Sequence, residues 1–186
     1  MSFFPNIEKI PYAGTASANP FSFHYYDAEK KVLGKSMAEH LRFSVCYWHS
    51  FAAPGDDVFG DSTWDRPWGN DVAGARKKLA AAFEFFEKLG VTYFCFHDRD
   101  IAPEGATVRE TEKNLRLIAD EMAAAMARSG VALLWGTANL FGHPRYSAGA
   151  ATNPNPDVFA FAADQVKTAL ELTHELEGKN YVLWGG

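Results

Sequence analysis

Gly90-Val91-Thr92-Tyr93-Phe94-Cys95-Phe96-His97-Asp98-Arg99-Asp100 is the stretch whose reading decides the fold. Val91 to Phe96 is a short run dominated by β-branched and aromatic residues. Strict alternation of apolar and polar residues would mark a strand with one wet face; an unbroken apolar run marks one covered on both. Gly90 stops whatever precedes the run, and the polar cluster His97 to Asp100 follows it at once.

Upstream, Asp71 is placed to cap a helix through Leu89, with Ala75, Leu79, Ala82, Phe83 and Phe86 on one stripe. Before that helix lies a long loop with Pro54-Gly55, Phe59-Gly60 and Arg66-Pro67-Trp68-Gly69. Phe43 to Trp48, opened by Arg42, reads as the preceding buried strand. Downstream, His97 to Gly105 reads as a loop, and Thr107 with Glu110 forms a capping-box start. That helix runs to about Ser129 and ends at Gly130. Val131 to Trp135 is a third strand, with a long loop through Asn153-Pro154-Asn155-Pro156. A third helix spans Asp157 to Leu176 before Gly178, and Tyr181 to Trp184 is a fourth strand. Residues 1–41 carry Pro5, Pro11, Pro20 and the run Gly14 to Ala18, and read as an irregular extension with a short helix near Lys35 to Leu41.

The order is therefore β-α-β-α-β-α-β, the pattern of a parallel sheet covered by helices. Right-handed crossovers give either a doubly wound sheet or part of a barrel. No strand is followed by the glycine pattern of a nucleotide-binding turn. Long loops after the strands and short ones before them favour a TIM (β/α)8 barrel with its site at the C-terminal face. Residues 42–186 then supply strands 1–4, the first half of the barrel.

Composition narrows the function. Apolar residues make up 47% of 186, enough for a core. A net charge of −5 and no basic run argue against nucleic acid or an anionic membrane as partner. Met1-Ser2-Phe3-Phe4-Pro5 is not a signal peptide, and no window is long and apolar enough to span a membrane. Cys46 and Cys95 sit in apolar runs and read as buried free thiols of a cytoplasmic protein.

In a barrel the residues ending the strands converge on one mouth: Trp48, His97, Trp135 with Thr137, and Trp184. The tryptophans either fill the core or wall a pocket suited to the C–H faces of a sugar; their repeated placement favours the pocket. Asp100, three residues after His97, is placed to bend back and hold the imidazole in one tautomer. The same spacing arises by chance in many loops, and Asp98 and Arg99 read equally well as surface charge.

Several segments carry a resemblance. His97-Asp98-Arg99-Asp100-Ile101-Ala102-Pro103-Glu104-Gly105 resembles the catalytic histidine segment of the longer, class II type of xylose isomerase. Leu134-Trp135-Gly136-Thr137-Ala138-Asn139-Leu140-Phe141 resembles that family's third strand, and Tyr181 to Gly186 its fourth. Pro144-Arg145-Tyr146, Gly149 to Pro154, Phe21 to Tyr26 and His40 to Phe43 are similar too, so the likeness covers essentially the whole chain.

The resemblance implies an aldose–ketose isomerase, converting D-xylose to D-xylulose and D-glucose to D-fructose by a metal-assisted hydride shift after ring opening. It implies that His97 assists ring opening and Asp100 orients it, that Trp48 and Trp184 line the substrate site, and that Thr137 and Phe141 lie near the sugar. Phe59 matches a loop aromatic that reaches a neighbouring subunit's site. Two divalent cations (Mg, Mn or Co) and a homotetramer are implied for the complete enzyme. Its metal ligands lie on strands five to eight, so none is expected in this chain. The alternatives are a half-barrel that is inactive alone and assembles with other copies or a missing half, and another sugar isomerase or epimerase barrel.

Overall fold

Four strands pair side by side in the order in which the chain makes them. The computed structural model describes residues 2–55 and 64–184. A small hairpin comes first, β1 (Lys31–Val32) and β2 (Lys35–Ser36), with Leu33 and Gly34 both at positive φ as a tight hairpin turn requires. One helical turn follows, α1 (Met37–His40), closed by a capping box between Ser36 and Glu39. The main elements are β3 (Ser44–Cys46), α2 (Val72–Leu89), β4 (Tyr93–His97), the single turn α3 (Asp98–Ile101), α4 (Val108–Ser129), β5 (Ala132–Thr137), α5 (Pro156–Glu175) and β6 (Asn180–Tyr181). The sheet runs β3-β4-β5-β6 and every pair is parallel. Sequential order leaves no reversal of the kind that opens a crevice in a doubly wound sheet.

The helices start and stop where side-chain chemistry dictates. Asp71 accepts from the Gly74 N–H at 2.7 Å, and Thr107 accepts from the Glu110 N–H at 3.1 Å. Gly90 and Gly130 end α2 and α4 at φ 76° and 74°, a conformation that strains any side chain with a Cβ. Their apolar stripes meet one face of the sheet. Leu79, Phe83 and Phe86 of α2, Leu115, Ile118 and Met122 of α4, and Leu172 of α5 share one core with Val45, Phe94, Phe96 and Leu133 of the strands. Phe86 stacks on Phe94 at 5.4 Å, and both are fully buried. The N-terminal segment docks on the outside of α2, where Glu84 accepts from the backbone N–H groups of Phe3 and Phe4.

Four details differ from the sequence expectation. The first strand stops at Cys46, because Tyr47 turns helical (φ −61°, ψ −37°) and opens a π-helical turn, Trp48–Ala52. That turn brings the Tyr47 and Phe51 rings 5.4 Å apart in the core, an i, i+4 meeting that an extended strand cannot make. The third strand continues two residues past Trp135, and its register with β4 slips by one at Leu134. The residues after His97 form the turn α3 rather than an open loop. The fourth strand is only Asn180–Tyr181, so Trp184 lies beyond it.

Candidate active site

His97 is the last residue of β4, at the C-terminal edge of the sheet. The turn α3 starts at once and returns Asp100 to the residue that launched it. Asp100 Oδ2 accepts from the His97 backbone N–H at 3.0 Å and lies 2.8 Å from His97 Nδ1. Both side chains are buried, His97 at 8% exposed and Asp100 at 1%. A carboxylate on Nδ1 makes that nitrogen the donor and leaves Nε2 of the neutral ring as a free base. Burial by itself lowers the His97 pKa; the hydrogen bond and charge of Asp100, with smaller help from Cys46 and Asp98, outweigh it and raise the value above the ordinary one.

Four aromatic rings surround the imidazole. Trp48, Trp135 and Phe141 present edges to it at 6.4, 6.1 and 5.8 Å, and Trp184 stacks on it at 6.2 Å. They come from the π-helical turn, from β5, from the loop after β5 and from the segment after β6. Phe141 and Trp184 meet at 6.3 Å and are both more than half exposed, so the cluster opens outward. Thr137, the register partner of His97, is 1% exposed and donates its hydroxyl to the Val182 carbonyl. That bond ties the end of β5 to the segment carrying Trp184. Phe59 lies outside the described residues.

The sequence reading gives two groups here no role in the site. Asp98 is fully buried rather than surface charge. Its Oδ1 accepts from the Asn139 N–H at 2.8 Å and the Arg99 N–H at 2.9 Å, and Oδ2 lies 3.4 Å from Arg99 Nη1. Burial pushes its carboxyl up, partly opposed by Arg99. Nothing local in the sequence signals this, because the Asn139 N–H that it accepts lies in another loop. The second group is the thiol pair. Cys46 and Cys95 are register partners on β3 and β4 and both are free. Cys95 is buried as expected, but Cys46 is only half-buried. The neighbouring Cys95 thiol and, to a smaller degree, the His49 and Trp48 backbone N–H groups favour the Cys46 thiolate and lower its pKa against the opposing effect of burial.

No family model matches the chain. Curated proteins do, along all of it. A xylose isomerase of Burkholderia ambifaria (strain MC40-6) is 58% identical over 189 residues, covering 100% of this chain and 43% of that protein. Over its whole length this chain is homologous to xylose isomerases. The xylose isomerases of Burkholderia vietnamiensis (strain G4 / LMG 22486) and Yersinia pestis (strain Pestoides F) are 57% and 54% identical with the same coverage. The chain thus spans less than half the length of the xylose isomerases it matches. Among the described residues no helix is long and apolar enough to cross a membrane.

Proposed function

We propose that this chain carries the ring-opening part of an aldose–ketose isomerase acting on D-xylose, and on D-glucose. The observation that supports it most is a buried His97–Asp100 pair, boxed by aromatic rings, in a chain 54–58% identical to xylose isomerases. Aromatic faces pack on the C–H faces of a pyranose and keep bulk water from the reacting oxygens. Neutral His97 accepts the anomeric hydroxyl proton at Nε2. The ring C–O bond breaks, and the proton passes to the released ring oxygen. Asp100 fixes the tautomer and stabilises the imidazolium formed in between. Trp48, Trp135, Phe141 and Trp184 wall the sugar, Thr137 supports the wall, and Phe59 serves a neighbouring subunit's site.

The parallel sheet with its single layer of helices is read as strands 1–4 of a TIM barrel after the extension 1–41. The opposite face and the edges β3 and β6 call for further strands or another copy to cover them; a homotetramer in the cytoplasm fits this reading. The reaction class brings two divalent cations, Mg, Mn or Co. Among the described residues no group of three or more His, Cys, Asp or Glu could hold one. These residues do not fit that role.

His97→Ala in the full-length polypeptide tests the reading, with conversion of D-xylose and D-glucose as the assay. Turnover falls to a trace with the fold intact. Undiminished turnover overturns the assigned role.

A further inference from the structure

The loop after β5 has no regular structure until Pro144, yet it delivers the Phe141 ring to His97. Something must hold it. Asn139 lies at the centre of the polar contacts there. Its side-chain Oδ1 accepts from the Phe141 N–H at 3.2 Å and the Gly142 N–H at 2.7 Å, an Asx turn that fixes the direction in which Phe141 leaves the chain. The turn is tight: a Cβ on Gly142 would lie 3.0 Å from the Asn139 amide atoms. Behind the turn, the Asn139 carbonyl accepts from Gln165 Nε2 of α5 at 2.9 Å, and Gln165 is itself fixed by the Tyr146 hydroxyl at 2.7 Å.

The remaining backbone group of Asn139 points to the other loop. Its N–H donates to Asp98 Oδ1, the carboxylate adjoining His97 in sequence. A charged acceptor makes this bond stronger than a neutral one, and Asp98 is 0% exposed. Farther out, Glu104 bridges Arg99 at 3.2 Å and Arg145 Nη1 at 3.0 Å, so the same two loops are tied at a second point.

We infer that Asp98 is a positioning residue for the proposed site: through the Asn139 N–H it clamps the loop after β5 to the end of β4 and so holds Phe141 against His97. Asp98 touches neither the imidazole nor, in the isomerase reading on which this rests, the sugar. It acts through the Asn139 turn.

The test is NMR of His97 in the full-length polypeptide labelled with ¹³C at histidine Cε1, because the Hε1 resonance senses the ring current of Phe141. Phe141→Leu sets the shift expected when that ring is gone. Asp98→Ala and Asn139→Ala move the resonance in the same direction, and either combined with Phe141→Leu moves it no further. Asp98→Asn keeps an acceptor oxygen and restores the wild-type position. If Asp98→Ala does not fold, Asp98→Ser withdraws the reach to Asn139 while leaving a polar group in place. The inference is overturned if Asp98→Asn shifts the resonance as far as Asp98→Ala, which would make the effect one of charge. It is overturned equally if Asn139→Ala leaves the resonance unmoved. The readout needs neither sugar nor turnover, so it decides the clamp separately from the isomerase reading.

Discussion

Replacing Asp100 separates what its shape contributes from what its charge contributes. One oxygen, Oδ2, receives both the His97 backbone N–H at 3.0 Å and the Nδ1 side at 2.8 Å. Asp100→Ala removes a charge-assisted bond, a loss of about 1.5–3 kcal/mol, and leaves a buried backbone N–H unpaired, about 1–3 kcal/mol more. The sum, about 2.5–6 kcal/mol, brackets the roughly 3–5 kcal/mol that breaking one side of a buried charged pair costs. Asp100→Asn can place its amide oxygen where Oδ2 was and keep both donors. It forfeits only the charge, so its cost is about 1–2 kcal/mol.

The two variants differ most in how stability follows pH. In the wild type the His97 pKa is raised above its unfolded value. Its stabilisation is therefore complete below the unfolded value, near 6.5 for histidine, and is lost as pH rises through the folded one. In Asp100→Asn the burial that lowers the His97 pKa stays while the main influence raising it is gone. The pKa then drops below the unfolded value, and the variant loses stability as pH falls. The gap between wild type and Asp100→Asn should widen steadily on acidification from about pH 8 to about pH 5. Urea unfolding at several pH values measures the gap, and an NMR titration of His97 follows the pKa directly. A gap that stays constant across that range, or an Asp100→Asn cost equal to that of Asp100→Ala throughout, would refute the reasoning.

Three further outcomes follow from the same structure. Iodoacetamide should alkylate half-buried Cys46, whose thiol pKa is lowered, faster at neutral pH than buried Cys95, whose thiol pKa is raised; peptide mapping separates the two, and equal rates would refute the assignment. A Cβ at Gly136 would lie 2.2 Å from Thr173 Oγ1, so Gly136→Ala costs about 1–3 kcal/mol in denaturant unfolding, and Thr173→Ala in the same chain recovers much of it. Phe86→Ala empties a fully buried site against Phe94 and Phe83 and costs about 3–5 kcal/mol, whereas Phe141→Ala, at an exposed ring, leaves the unfolding midpoint nearly unchanged.

The elements legible in the sequence were those written in local chemistry. The capping residues Asp71 and Thr107 and the terminating glycines Gly90 and Gly130 act within one helical turn, and the helices begin and end beside them. The apolar runs at Tyr93 to Phe96 and Leu133 mark strands because side chains on a covered sheet have no polar face to show. The end of the first strand is not legible because Tyr47 is as apolar and aromatic as its neighbours. Only its pairing with Phe51 under α2 shows that the backbone has turned. The slip at Leu134 was hidden for the same reason, since a bulge changes the register and leaves the composition alone.

The candidate site divides along the same line. Asp100 reaches a partner three residues away, and that spacing is visible in any listing of the chain. Asp98 belongs to the same short turn and carries the same functional group, yet its decisive partner lies 41 residues on. A carboxylate in that position reads as surface charge until the two loops are seen to close over it. Its Oδ1 is met by the backbone N–H groups of Asn139 and Arg99, while Oδ2 has only the Arg99 guanidinium charge at 3.4 Å, with no hydrogen bond. The consequence is a division of labour between two acids of one turn: Asp100 is the larger influence on the protonation of His97, and Asp98 fixes the wall that His97 faces. Removing Asp100 changes how the site responds to pH, while removing Asp98 changes where Phe141 stands.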